Sequence, residues 1–284
     1  MMHSKTQALK KILSQTQSLG GKVEALHNYY AGETLYILTC GPSINDLECK
    51  TLARKLEGRL VMAVKQAFTR FEKVTDFHLY NSAHHQKFSY GKNPDAIRIY
   101  ARHPQSASLW GPDPDIIFDL DPAGIGKPER ALAHTHEFES YLLSHQLLRP
   151  FGPGLIYELC FYLAVHMGIK QCTVVAWDLA PDEKTYSHFY NQKTDFFSRV
   201  YRRTIRSIGR WLGLLLGARA ESWWNYQRGQ VYTGSQIFPG EMATVRESTR
   251  YAREWLLRHG IELRVLSNRS CVDASIPRIR MDDL

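Results

Sequence analysis

Short apolar runs that end in turn residues alternate along this chain with longer stretches of helical periodicity. Residues 1–19 place Leu9, Ile12 and Leu13 on one side of a helix, with Gly20-Gly21 as its stop. Leu35 to Cys40 reads as a buried strand halted by Gly41-Pro42, and Ser43 and Asn45-Asp46 are placed to cap a following helix. Thr51 to Glu57 is helical, and Leu60 to Val64 is a second strand ending at Lys65-Gln66. Phe77 to Tyr80 is a third, ending at Asn81-Ser82, and Ile97 to Tyr100 and Ile116 to Leu120 are further short strands. Arg130 to His145 has helical periodicity. The loop Arg149-Pro150-Phe151-Gly152-Pro153-Gly154 then opens a helix from Leu155 to Met167, ended by Gly168. Cys172 to Trp177 is a strand ending at Asp178, Thr249 to His259 the last helix and Glu262 to Leu266 the last strand. Strands alternating with helices predict an α/β fold: a Rossmann-like, mostly parallel sheet with helices on both faces.

Residues 194–218 stand apart. Phe197, Tyr201, Ile205, Ile208, Leu212 and Leu215 share one helical face, and Arg199, Arg202, Arg203, Arg206 and Arg210 the opposite one. Two readings are open: a helix packed on the body with a solvated basic face, or an interfacial helix against anionic lipid. No apolar run is long enough to span a bilayer.

Charge and cysteine usage narrow the picture. The 284 residues suit one large domain or two small ones, and 36 Lys plus Arg against 28 Asp plus Glu give a formal charge of +8, which favours anionic partners. Five scattered cysteines without CxxC spacing indicate neither a disulfide framework nor a zinc site, and a reducing cytoplasm fits them. Residues 1–19 lack the apolar core of a signal peptide.

The candidate chemistry lies just beyond the strands. In a parallel sheet, Cys40-Gly41-Pro42-Ser43, Lys65-Gln66, Asn81-Ser82 and Asp178 share one rim, which Gly152-Pro153-Gly154 could also reach. A strand, a tight Gly-Pro-Ser turn and a helix N-terminus would leave free backbone N–H groups where open α/β sheets bind phosphate. Neither GxGxxG nor a Walker loop occurs, nor HExxH or GxSxG. His84-His85 reads as solvated, and Asp113, Asp115, Asp119 and Asp121 as turn formers among prolines.

These motifs, in this order, resemble the bacterial sialyltransferases of glycosyltransferase family 42 and the related Kdo and nonulosonic acid transferases. Gly41-Pro42-Ser43 resembles the first nucleotide loop, with Cys40 where the family has Asn. Lys65-Gln66 stands where Asn-Gln is common, and Asn81 matches an Asn after the third strand. Gly152-Pro153-Gly154 resembles the Ser-Gly loop, Trp177-Asp178-Leu179 the Ile-Asp-Phe strand end, and Leu266-Ser267-Asn268 with Ser270 the closing donor loop. Tyr186 falls at the spacing of a tyrosine that hydrogen-bonds the leaving phosphate. The chain departs from the family at Ala180, where a tyrosine is expected, and before the last helix, where no His stands. Residues 194–235 look like an insertion into the family's lid.

The resemblance implies a single glycosyltransferase domain over 1–284, a GT-A-like variant with a helical lid or membrane-proximal insertion over 190–236. It implies transfer of a 2-keto acid sugar (Kdo, sialic acid or a related nonulosonic acid) from a CMP donor to a glycan or glycolipid acceptor. No cofactor or metal is expected, because backbone N–H groups and tyrosine hydroxyls can meet the charge growing on the phosphate. Cys40, Gly41, Pro42, Ser43, Lys65, Gln66, Asn81, Ser82, Arg149, Gly152, Pro153, Gly154, Asp178, Ser267, Asn268 and Ser270 are the expected donor-site residues. His188, two residues after Tyr186, is the first choice of base, and Glu241 the second. The expected place is the cytoplasm, including the inner face of the membrane; nucleic acid is not an expected partner. Two alternatives stay open: a pyrophosphokinase-like enzyme using Mg²⁺ on Asp119 and Asp121, and a non-catalytic basic protein binding membrane or nucleic acid through 194–218.

Overall fold

A computed structural model describes residues 3–81, 95–102, 114–121, 137–147, 149–150, 155–179, 204, 207–209, 211–217 and 241–284. Seven strands form one sheet: β1 (Thr34–Leu38), β2 (Leu60–Val64), β3 (Phe77–Asn81), β4 (Ile97–Arg102), β5 (Ile116–Asp121), β7 (Gln171–Val175) and β8 (Glu262–Leu266). The two-residue β6 (Arg149–Pro150) adds an eighth at the β5 edge, giving the order β6-β5-β4-β3-β2-β1-β7-β8. Every described pairing is parallel. Leu35 of β1 sits opposite Leu60 of β2 on one side and Cys172 of β7 on the other.

Alternate strand positions feed two separate cores. Leu35 and Ile37, Met62, Phe77 and Leu79, Ile97 and Ile99, Cys172 and Val174, and Leu263 and Val265 face one side. There they meet α1 (Thr6–Gln15), α2 (Leu19–Leu26), α5 (Leu155–His166) and α6 (Glu241–Arg258), through Leu9, Leu13, Leu26, Phe161 and Trp255. Tyr36, Leu38, Val61, Ala63, Tyr80 and Tyr100 face the other side, against α3 (Cys49–Leu56) and α4 (Ala67–Phe71). Burial on both faces is what a parallel sheet requires, and it explains the near-continuous apolar strands.

Four local expectations are corrected. Gly20-Gly21 does not stop a helix; it lies inside α2, which Ser18 caps by accepting the Gly21 N–H at 3.1 Å. The helix expected over Arg130 to His145 is only a 3₁₀ turn, Phe138–Tyr141, within the described residues 137–147. Ser43 and Asn45-Asp46 do not cap α3. Ser43 and Asn45 belong to a separate 3₁₀ turn, Pro42–Asn45, which Asp46 follows, and Glu48 caps α3 with its carboxylate on the Lys50 and Thr51 N–H groups. The last helix begins earlier than the periodicity suggests, at Glu241.

Candidate functional site

From β1 the strands proceed in one direction through β2, β3, β4 and β5, whereas β7 and β8 lie on the other side of β1. The order reverses between β1 and β7. At such a point the loops leaving adjacent carboxyl ends diverge and open a crevice, the usual ligand position of an open parallel sheet. Parallel pairing puts the ends of β1, β2, β3, β7 and β8 on one rim, so Cys40, Lys65, Asn81, Asp178 and Ser267 share it.

Asp178 joins the loops that leave β1, β7 and β8. It is buried, and its carboxylate accepts the Ser43 N–H at 2.7 Å, the Ser43 hydroxyl at 2.6 Å and the Ser267 hydroxyl at 2.5 Å. Its backbone carbonyl accepts the Cys271 N–H at 2.7 Å. The Ser270 hydroxyl donates to Trp177 O at 2.6 Å, and the Arg269 guanidinium donates to Asp46 at 2.7 Å. The expectation of free N–H groups at this turn is therefore corrected at Ser43: the protein supplies its own anion there. Donors converge on a carboxylate because a buried charge is costly unless it is hydrogen-bonded.

Gly41 is required by contact. A Cβ on it would lie 2.0 Å from Ala176 O and 2.6 Å from Asp178 Oδ2. The Thr39 hydroxyl secures the same junction, 2.6 Å from Ala176 O and 3.0 Å from Val175 O. Lys65, Ala176 and Leu179, all non-glycine, hold positive φ at 49°, 58° and 47°. Each such conformation costs on the order of 1–3 kcal/mol and collects where a site over-determines the backbone.

Asn81 ends β3 at the rim, and the Trp177 side chain packs on Tyr157 and Phe161 in the core. Asn81 Oδ1 and the indole N–H of buried Trp177 have no hydrogen-bond partner among the described residues. Lys65 is half-buried, and burial pulls its ammonium below the ordinary lysine range, with Cys40 acting weakly in the opposite sense. Cys40 is buried; its thiol donates toward Val64 O at 3.3 Å, and burial pushes it up to about 11, so it stays a thiol at neutral pH. Gln66 is buried beside it, with Oε1 3.6 Å from Cys40 Sγ.

No protein-family model and no curated protein matches this chain.

The remaining expected residues are distributed unevenly. Pro42 opens the 3₁₀ turn, Asn268 is exposed, and Ser270 is partly buried. Arg149 lies in β6, five strands from β1. At ordinary strand spacing that is about 24 Å away, so its backbone stands far from the β1–β7 crevice. Glu241 begins α6, which runs back to the amino end of β8; its first turn therefore lies toward the rim. Ser82, Gly152, Pro153, Gly154, Tyr186 and His188 lie outside the described residues. So does most of the 190–236 insertion. Asp119, an expected Mg²⁺ ligand of the pyrophosphokinase alternative, is held in a two-point ion pair by Arg102. Among the described residues no group of three His, Cys, Asp or Glu side chains is gathered as a metal ion would need.

Sequence reasoning missed Thr39, Ala176 and the Arg269–Asp46 pair. It also missed His78, buried in β3, stacked on Phe68 with ring centroids 4.2 Å apart and with Nε2 3.0 Å from Lys65 O. Carbonyls only accept, so that nitrogen carries the proton. For Thr39, Ala176 and Arg269 the available signal was position, next to or on a strand end already singled out; His78, near the start of β3, and Asp46, beyond the turn that follows β1, carried none.

Proposed function

We propose that this protein is a glycosyltransferase that moves a 2-keto acid sugar from a CMP donor to a glycan or glycolipid acceptor, on a Rossmann-like, GT-A-like sheet. The observation that carries the reading is the reversal of strand order between β1 and β7, with the Gly41-Pro42-Ser43 turn and the Asp178 loop on its two sides. In this reading Asp178 and Ser267 shape the crevice wall, and Gly41 gives a ligand close approach to the backbone. Lys65 supplies positive charge beside it, and Asn81 Oδ1 supplies an acceptor for a polar ligand. The resemblance of these strand ends to the CMP-sugar transferases selects cytidine.

Such a donor carries its own carboxylate beside the anomeric carbon and leaves as CMP. Bond cleavage builds oxocarbenium character on the sugar and negative charge on the phosphate. The protein must stabilise that phosphate and take the proton of the acceptor hydroxyl. Tyr186 and Lys65 are assigned the first task, and His188 the second, with Glu241 as the competing base.

Thermal shift with CMP, CMP-Kdo, CMP-sialic acid, UDP-sugars and ATP tests the donor class. CMP at about a hundredfold excess over its dissociation constant stabilises the fold by about 2.7 kcal/mol. Stabilisation by UDP or ATP and none by CMP overturns the reading. Transfer should survive EDTA; loss restored only by Mg²⁺ or Mn²⁺ would overturn the metal-independent mechanism.

A further inference from the structure

A patch of bare apolar side chains lies well away, in sequence, from the residues of the crevice. The described residues 204, 207–209 and 211–216 are helical, and the helix ends at Gly217, which has φ of 86° and whose N–H closes on Gly213 O at 2.9 Å. In its last turns Trp211 is 64% exposed, Leu214 81%, Leu215 72% and Leu216 69%. They are the four most exposed large hydrophobic residues among those described, and Ile208, one turn before Trp211, is 42% exposed. Burying a side chain of this size is worth about 1.5–3 kcal/mol, and soluble proteins rarely leave several together in water.

The distribution around the helix indicates what covers them. At 100° per residue, positions 211, 212, 214, 215 and 216 spread over more than half of the circumference. A helix that docks in a protein groove needs one apolar stripe. One whose apolar arc exceeds half of its girth, with arginines expected on the other side, suits a lipid surface, where the apolar arc enters the acyl boundary and the charged side meets headgroups. No described helix is long and apolar enough to cross a membrane. The stretch therefore enters one leaflet without spanning it.

Charge selects the lipid. From Phe196 to Ala220 the chain contains Arg199, Arg202, Arg203, Arg206, Arg210 and Arg219 and no Asp or Glu. Arginines beside an apolar insertion are attracted by anionic headgroups, and a tryptophan at the same place fits the interfacial layer. We propose that Trp211 and Leu214–Leu216 insert into the acyl boundary of an anionic bilayer, with the neighbouring arginines on its headgroups. This binding is independent of whether the crevice takes CMP.

Co-sedimentation of the full chain with vesicles tests it. The protein should bind phosphatidylglycerol–phosphatidylcholine vesicles at least tenfold more tightly than pure phosphatidylcholine, and less tightly as salt rises. Leu214→Ser/Leu215→Ser/Leu216→Ser should lose at least tenfold in partitioning with an unchanged melting temperature, because these side chains are already in water. Arg202→Gln/Arg203→Gln/Arg206→Gln should lose the preference for the anionic lipid. No binding by the wild type, or undiminished binding by the triple serine variant, overturns the proposal. So does a wild-type oligomer in light scattering that becomes monomeric in the serine variant and never binds vesicles, since a second copy would then be the occupant.

Discussion

Gly41 shows how little freedom the crevice leaves to single residues. Even alanine would push a methyl group into the Ala176 carbonyl and the Asp178 carboxylate. Gly41→Ala should destabilise the fold by about 1–3 kcal/mol, the usual range for overpacking. In isothermal titration it should weaken CMP binding at least tenfold. An alanine variant with normal stability and normal CMP affinity would mean that the turn is neither tight nor part of the ligand site. His78 has a different sensitivity. Burial pushes its imidazole down to about 3, with the Lys65 carbonyl opposing weakly and Arg98 adding to the shift. The unfolded chain takes up that proton near pH ~6.5. The contribution of neutral His78 is therefore complete above about pH 6.5 and is lost as pH falls through the interval toward 3. Buried Asp76 acts in the opposite direction: burial raises its carboxyl despite the Thr6, Val61 and His3 donors. Comparison of the wild type with His78→Gln isolates the histidine, because both keep Asp76. Urea midpoints between neutral pH and about pH 5 should fall less steeply in the glutamine variant; equal slopes would show that His78 is not the titrating group.

At the scale of elements, the ends of β1, β7 and β8 are held together by one carboxylate. Asp178→Asn keeps the shape but removes an acceptor from a site with three donors, Ser43 N–H and the Ser43 and Ser267 hydroxyls. The variant should lose about 3 kcal/mol, the scale of leaving buried donors poorly satisfied, with a matching drop in denaturation midpoint. An unchanged midpoint would reduce Asp178 to a bystander. Helix α6 raises the question of the base, since its first residue, Glu241, lies toward the rim. His188→Ala should lower turnover by about a hundredfold or more, as loss of a general base does, with CMP affinity nearly unchanged. Near-normal turnover there, with collapse in Glu241→Gln, would transfer the role to Glu241.

At the scale of the whole molecule, the architecture was largely legible in the chain and the site only in outline. β2 and β8 were read with their observed ends, and β1, β3, β4, β5 and β7 to within two residues, because a strand buried on both faces leaves a short, nearly unbroken apolar run. Element α2 was hidden by Gly20-Gly21, whose poor helix propensity is outweighed by the Ser18 cap and the packing of Val23 and Leu26. The helix expected through 137–145 gave way because packing of Phe138 against Trp255, with the Trp255 indole N–H on Glu139, holds a 3₁₀ turn instead. By itself the sequence determined where strands stop and which turn residues follow them, since apolar runs and Gly-Pro punctuation are local properties. It also determined the arginine-rich, acid-free stretch from 196 to 220. Only the tertiary structure decided which strand ends become neighbours. The Ser43–Asp178 and Asp178–Ser267 contacts link residues 135 and 89 positions apart, respectively. It also decided that the apolar residues near 214 stay in water, because burial depends on what packs against a side chain and not on the side chain alone.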